Sequence, residues 1–256
     1  RLEHAKVRFI LKHQHTILLA WFFWMLVMIC AVVALVLRTQ NSASLAQTVQ
    51  GPDYLREILY GVILIPLTAP MYATVGAIVA SRRPQNGVGW LCLTLGLLVG
   101  LQDATWQYAS RVFEISPGSL PLATSMAMAA SLLLILQSFL PYILLLLIFP
   151  SGSFLSRFWR VLAWIACNIT LLGLITTLFY PTISAGLHTT IANPVGIKGS
   201  NGIADLVQAI GHLLLNLILL IAAISIVVRW RKASGEERQQ LKWLVYIGTV
   251  IVISNI

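Results

Sequence analysis

The sequence predicts an all-α fold, a polytopic bundle of transmembrane helices, and three observations support this prediction. Hydrophobic residues make up 58% of the 256 residues and charged residues only 10%, whereas soluble domains carry about 25% charged residues. Apolar stretches of about 20 residues recur along the chain, the length that crosses roughly 30 Å of hydrocarbon as a helix. Basic residues are concentrated in alternate connecting segments. These features indicate a multi-pass membrane protein.

Seven spans are predicted after a short N-terminal segment, residues 1–16. The transmembrane module of residues 17–256 contains spans at about 17–37, 58–80, 87–106, 122–149, 161–185, 206–228 and 243–256. Uniformly apolar runs of this length satisfy their backbone hydrogen bonds as helices rather than as barrel strands. The seventh begins at Trp243 and has only about 14 residues, so we expect it to be truncated and the full protein to have eight spans. We expect a kink at Pro141 in the fourth.

The distribution of Lys and Arg predicts the orientation of the spans. Alternate connecting segments carry 13 and 4 of the 17 basic residues, and the more basic side is expected to be cytoplasmic. Residues 1–16 are therefore expected in the cytoplasm. The net charge of +9 is explained by this topology and by attraction to anionic lipids, so we expect the lipid bilayer as a partner and no nucleic acid.

No catalytic residues are predicted within residues 1–256. The sequence has no glycine-rich phosphate loop, no paired His at zinc spacing and no glycine-flanked nucleophilic Ser. The connecting segments, about 20 residues at most, are too short to form a catalytic domain. Cys30, Cys92 and Cys167 lie within predicted spans without metal-ligand spacing, so no metal site is predicted.

Polar residues within the spans mark the predicted ligand-binding site, because each is costly in hydrocarbon unless it faces protein, water or a ligand. A stripe in the sixth span, at spacings of 3, 4 and 4 residues, comprises Asp205, Gln208, His212 and Asn216. A second cluster, near the outer end of the third span, comprises Gln102, Asp103 and Gln107. If the two clusters face one another, they enclose a polar pocket open to the outside. The alternative is that they form interhelical hydrogen bonds.

One residue of the stripe, His212, has alternatives of its own. His212 can be protonated, bind a metal or ligate a tetrapyrrole, although a hydrogen-bonded structural His is the simpler interpretation and no cofactor is predicted. Asn168 is a polar residue in the fifth span.

Short motifs in the connecting segments occur in a characteristic order. They are Arg82-Arg83-Pro84-Gln85-Asn86-Gly87-Val88-Gly89-Trp90, Pro117-Gly118-Ser119-Leu120-Pro121, Phe149-Pro150-Ser151-Gly152, Ser156-Arg157-Phe158-Trp159-Arg160, Asn193-Pro194-Val195-Gly196 and Gly235-Glu236-Glu237-Arg238-Gln239-Gln240-Leu241-Lys242-Trp243. Their order resembles the N-terminal membrane region of bacterial two-component sensor histidine kinases, and the resemblance covers about residues 80 to 250. The chain differs from that family at Gly87, where Pro is frequent, and at Ser151 and Ser153, where Asp and Arg are frequent.

The resemblance implies a membrane sensor region that detects a ligand or a membrane state and signals to a cytoplasmic output domain beyond Ile256. It implies the bacterial plasma membrane and, if the output is a kinase, a homodimer with a response regulator as downstream partner. Histidine kinase activity is then expected only from a downstream domain. The alternative function is a structural or accessory subunit packed against a larger membrane complex.

Overall fold

The computed structural model describes residues 2–45, 65–186, 189–232, 235 and 238–239, and these are mostly helical. In the first helix the side chains of residues 14–41 are described. The helices are α1 (Leu2–Leu45), α2 (Ile65–Arg82), α3 (Gly87–Ser110), α4 (Ala123–Ser138), α5 (Leu140–Ile148), α6 (Arg157–Leu178) and α7 (Asn201–Lys232). A π-helical turn, Arg111–Ile115, extends α3. Between α6 and α7, β1 (Thr182–Ser184) and β2 (Thr190–Ala192) form an antiparallel hairpin.

Five helical stretches among the described residues are long and apolar enough to cross a membrane. They are Gln14–Asn41, Gly87–Ile115, Ala123–Ile148, Arg157–Leu178 and Asn201–Arg231. They correspond to the first, third, fourth, fifth and sixth predicted spans, so the predicted helical fold is confirmed, with five helices long and apolar enough to cross a membrane. Residues 58–64 of the second predicted span lie outside the described residues, and the rest of that span forms α2. The seventh predicted span lies outside the described residues altogether.

The fourth predicted span is interrupted near its proline. α4 ends at Ser138 and α5 begins at Leu140, and between them Phe139 has a φ of −127° and a ψ of −44°. Pro141 lies in the first turn of α5, where its missing N–H needs no partner, whereas a continuous helix would bring its ring against the preceding turn. The expected kink is therefore present, two residues before the proline.

The helix of the fifth predicted span begins and ends earlier than the expected boundaries of 161 and 185. α6 begins at Arg157 and ends at Leu178. Pro181 disfavours a helical conformation in the residue before it. Asn193 caps the C-terminus of α6, since its Nδ2 donates to Leu178 O at 2.8 Å and to Tyr180 O at 2.7 Å. The chain therefore leaves the helix and enters the hairpin.

Small residues allow α2 and α3 to pack closely. The buried face of α2 consists of Ala69, Ala73, Gly76, Ala77 and Ala80. A Cβ atom added to Gly76 would lie 2.5 Å from Leu93 N, and one added to Gly96 would lie 2.9 Å from Ala69 O. Only glycine allows the two backbones to approach this closely. Gly96 therefore allows close helix approach through its contact with α2.

A second core joins α5, α6 and α7. Ile143 and Leu147 of α5 are fully buried, together with Ala166 of α6 and Ala222 of α7. α4 lies between this core and α3, because Ala127 of α4 packs with residues of α3 and the hairpin and Ile135 of α4 lies against Gly173 of α6. We refer to the end of the bundle that carries the hairpin as the hairpin end, and to the opposite end, with residues 83–86 and 149–156, as the junction end.

Candidate functional site

Asp205 and Gln208 of α7 contact the end of α6 next to the hairpin. Tyr180 donates its phenolic O–H to Asp205 Oδ1 at 2.8 Å, and Gln208 Nε2 donates to Thr177 Oγ1 at 3.5 Å. The hydrogen bond to the carboxylate, followed by desolvation, raises the pKa of Tyr180, because an acceptor favours the protonated phenol. Tyr180 therefore stays a neutral donor to Asp205 across the physiological pH range.

A groove of about 450 Å³ opens beside these residues at the hairpin end. Trp106 of α3 and the hairpin contribute to it, and α4 provides an apolar wall that includes Met128 and Leu134. The polar wall consists of Tyr180, which follows the end of α6, and Asp205 of α7. Asp205 is the one Asp, Glu, Lys, Arg or His among the described residues that line the groove. An apolar wall facing a single carboxylate, with aromatic rings beside it, suits an amphipathic ligand that carries one positive charge.

His212 and Asn216 lie farther along α7, away from this groove. His212 lines a small cavity of about 30 Å³ between α4, α6 and α7, with its ring 5.9 Å from that of Phe139. Such a volume holds about one or two waters, and a tetrapyrrole does not fit in it. Asn216 is exposed, and its Nδ2 donates to His212 O at 2.9 Å. Among the described residues, no group of three or more His, Cys, Asp and Glu side chains is placed to hold a metal ion.

The second predicted cluster faces α1 instead of the α7 stripe. Arg38 of α1 donates to the Asp103 carboxylate, and Asn41 Nδ2 donates to Gln107 Oε1 at 3.1 Å and to Gln107 O at 3.0 Å. Gln107 Nε2 also lies 3.4 Å from Asp103 Oδ1. Gln102 is half-buried on the same helix. The expectation that both clusters enclose one pocket is therefore corrected, because α1 supplies the hydrogen-bond partners of Asp103 and Gln107. The residue of α3 that lines the groove is Trp106.

Two sequence motifs meet at the junction end. Asn86 caps α3, since its Oδ1 accepts from Val88 N at 2.9 Å, and its Nδ2 donates to Pro150 O at 3.0 Å. Gly152, with a φ of +78°, lies so close that an added Cβ would be 2.4 Å from Asn86 Oδ1. Glycine is needed there for both its backbone angle and its size. The loop that ends α5 is thus fastened to the start of α3.

Arg229 joins α7 to the same loop. It is buried near the end of α7, and its Nη2 donates to Leu147 O at 2.5 Å and to Ser153 O at 2.8 Å. Its Nη1 donates to Ser151 Oγ at 3.2 Å. The positive charge lies at the C-terminal carbonyls of α5, where the helix dipole favours a cation. Ser151 thus contributes its side-chain hydroxyl to Arg229, and Ser153 contributes its backbone carbonyl.

Sequence reasoning did not identify Arg38, Asn41 or Arg229 as members of a site. Arg38 and Arg229 were interpreted as loop charges that set the topology, because both follow predicted spans. Each arginine directly follows a predicted span, which ends at residue 37 or 228, so a helix that continues past its apolar stretch would include it. The structure shows such extensions, because α1 continues to Leu45 and α7 to Lys232.

No protein-family model, no curated protein and no solved structure matches this chain.

Proposed function

We propose that the chain is the membrane-embedded sensor module of a bacterial signalling protein, inserted in the plasma membrane with its N-terminus in the cytoplasm. The observation that carries the proposal is the double role of α7. One end of this helix provides Asp205 to the groove, and the other provides Arg229 to the junction end. The two residues lie roughly 36 Å apart along one helix at 1.5 Å per residue. A change at the groove can therefore reach the opposite end of the bundle through a single rigid element.

The positive-inside rule supports an outward-facing groove. Arg82 and Arg83 precede α3, Arg157 and Arg160 begin α6, and Arg231 ends α7, so that these cations lie together at the junction end. With this end in the cytoplasm, the hairpin and the groove face the outside. In this proposal residues 17–256 contain seven spans, and the seventh begins at Trp243. The full protein would have an eighth span, followed by a cytoplasmic output domain.

The proposed stimulus is an amphipathic monocation, or a membrane state that delivers one to the groove. Asp205 attracts the charge, Trp106 and Tyr180 offer aromatic faces to it, and the α4 wall accepts an apolar body. For such a ligand to act as a signal, it must bind two arrangements of α7 with different affinity. The motif order that resembles two-component sensor kinases supports histidine phosphorylation as the output.

Phosphorylation of the natural full-length protein in membrane vesicles tests the proposal. The probes are n-decylammonium, decanol and decanoate, which share one apolar chain and differ in charge. We expect ATP-dependent phosphorylation of a His to change with decylammonium, not with the other two, and the response to weaken in Asp205→Asn. Leu206→Ala, at an exposed neighbouring position, serves as the matched control and should respond as wild type does. Absence of His phosphorylation, or an equal response to all three probes, overturns the proposal.

A further inference from the structure

A buried hydroxyl of α6 has no hydrogen-bond partner among the described residues. Thr170 is only 2% exposed, and its Oγ1 forms no hydrogen bond with the part of the chain that the structure describes. Thr94 and Thr176, by contrast, each donate to the backbone carbonyl four residues earlier, at 2.9 and 3.1 Å. A buried hydroxyl without a partner is costly. Thr170 therefore calls for a hydrogen-bonding group other than those of its protein neighbours.

Thr170 lines the cavity of about 30 Å³ between α4, α6 and α7. Two glycines line it as well, Gly173 of α6 and Gly211 of α7. The space is narrow at Gly173, where an added Cβ atom would lie 3.3 Å from Ile135 Cγ2 of α4. A cavity of this volume has room for one or two waters, and it takes them up only where two to four polar groups surround them. The polar groups of the lining therefore decide whether the cavity is filled.

Two polar side chains of α7 line the same cavity. They are His212, whose ring nitrogens form no hydrogen bond with any described residue, and Gln208. A neutral imidazole has one donor and one acceptor nitrogen. Gln208 uses its Nε2 as a donor to Thr177, and its Oε1 is an acceptor. Together with the Thr170 hydroxyl, these groups give a water in the cavity up to three partners.

The cavity adjoins the groove at the hairpin end. Ile135 of α4 and Gln208 of α7 line both spaces. Water therefore has a path to the cavity from the groove, past Asp205 and Gln208, and need not cross hydrocarbon to reach Thr170.

We propose that this cavity binds a water molecule that bridges Thr170 of α6 and His212 of α7. The Thr170 hydroxyl donates to the water oxygen, and the water donates to the unprotonated ring nitrogen of His212. Its second hydrogen is available to Gln208 Oε1. Such a bridge supplies the missing partner of Thr170 and gives His212 a hydrogen-bonded role without a ligand or a cofactor. A movement of α7 along α6 would have to break it.

Transfer of magnetisation from water to the protein, measured by solid-state NMR on the natural full-length chain in vesicles, tests whether the water is present. We expect rapid transfer to the Thr170 methyl group. The control is the methyl group of Ala166, one turn earlier on α6 and fully buried in the core with α5 and α7, which should receive much less. In Thr170→Val the transfer to residue 170 should weaken. Transfer that persists in full in this variant, or that is no stronger at Thr170 than at Ala166, overturns the proposal.

Unfolding in mixed micelles with increasing dodecyl sulfate tests whether the water supports the fold. Thr170→Val removes the hydroxyl and nearly keeps the side-chain volume, and it should lower the folding equilibrium constant about 3- to 20-fold, the range for one interhelical hydrogen bond in a membrane. A hydroxyl without any partner would instead give an unchanged or higher constant, and that result overturns the proposal. Thr176→Val on the same helix, where the hydroxyl is bonded to Leu172 O, is the control and should stay close to wild type.

Combining Thr170→Val with His212→Leu tests the bridge between the two helices. Each substitution removes a partner of the same water, so the double variant should lose less than the product of the two single fold-changes. Thr170→Val combined with Asn216→Leu is the control, because the Asn216 amide bonds within α7, and those two losses should multiply. Losses that also multiply for Thr170 and His212 would mean that no shared water joins them, and would overturn the bridge. None of these measurements depends on a signalling output.

Discussion

Arg38 of α1 donates a hydrogen bond to the carboxylate of Asp103 on α3, and the two side chains are only 15% and 10% exposed. The pair neutralises two charges near the hairpin end of apolar helices. Asn41 and Gln107 continue the contact one turn farther along, so α1 and α3 are held in one register. The sequence predicted Asp103 as a ligand-binding residue, whereas in the structure its carboxylate binds Arg38 of the same chain.

Breaking this ion pair from one side should destabilise the protein strongly. Arg38→Met or Asp103→Leu leaves one buried charge without the opposite charge of the pair, which typically costs about 3 to 5 kcal/mol. The double variant removes both charges and should cost clearly less than the sum of the two. Unfolding in mixed micelles with increasing dodecyl sulfate measures these free energies. Strict additivity of the two single changes would mean that the pair does not interact.

Arg229 should contribute more to stability than its neighbouring basic residue. Arg229→Met leaves Leu147 O and Ser153 O without their donor, and buried unsatisfied acceptors cost about 1 to 3 kcal/mol. Ser151→Ala removes one hydrogen bond and should cost about 1 kcal/mol or less. Arg231→Met is the control, because Arg231 is exposed and the change removes the same charge from α7. A similar loss of unfolding free energy in Arg229→Met and Arg231→Met would contradict the described contacts.

Gly76→Ala should separate α2 from α3. The added methyl group would overlap the backbone atoms Leu93 N and Gly89 O, at 2.5 and 2.8 Å, and overpacking of this kind costs roughly 1 to 3 kcal/mol. Gly202→Ala on α7 has no atom within 4 Å of the added carbon, and alanine favours helix there by up to about 1 kcal/mol. We expect a lower midpoint of thermal unfolding in the first variant and an equal or higher one in the second.

The pKa of Tyr180 should fall when Asp205 loses its charge. The carboxylate accepts the phenolic hydrogen and stabilises the neutral form, so the folded-state pKa of Tyr180 lies above its ordinary value of 10.0. In Asp205→Asn, Tyr180 should ionise at a lower pH than in the wild type. Absorbance of tyrosinate near pH 10 should therefore be higher in that variant. In a Tyr180→Phe background, Asp205→Asn should change nothing, and a persisting difference would place the effect on another tyrosine.

Local rules predicted the elements of the fold better than the contacts among them. Apolar length predicted seven spans, and five of them form helices long and apolar enough to cross a membrane. Pro141 predicted the break between α4 and α5, because this break, like apolar length, depends on residues close in sequence. The end of α6 at Leu178 depends on a hydrogen bond from Asn193, which follows the hairpin and lies 15 residues farther along the chain. Spacing along a single helix could not reveal this cap.

The candidate site was predicted in part for the same reason. Helical spacing correctly placed Asp205 and Gln208 together, since both lie on α7. It could not show that Asp103 turns toward Arg38, because the contact joins helices 65 residues apart. Arg229 was interpreted as a topology charge, and its hydrogen bonds to the loop after α5 depend on how α7 docks.

The most direct test of the central claim is the distance between two labels at the junction end while the groove is titrated. In the cysteine-free full-length protein, spin labels at Ser156→Cys and Arg231→Cys, both at exposed positions, report on α6 and α7. We expect n-decylammonium to shift the measured distance distribution, and Asp205→Asn to require about two- to fivefold more probe for the same shift. An unchanged distribution with the groove occupied, as shown by quenching of Trp106 fluorescence relative to Trp106→Phe, would contradict signalling through α7.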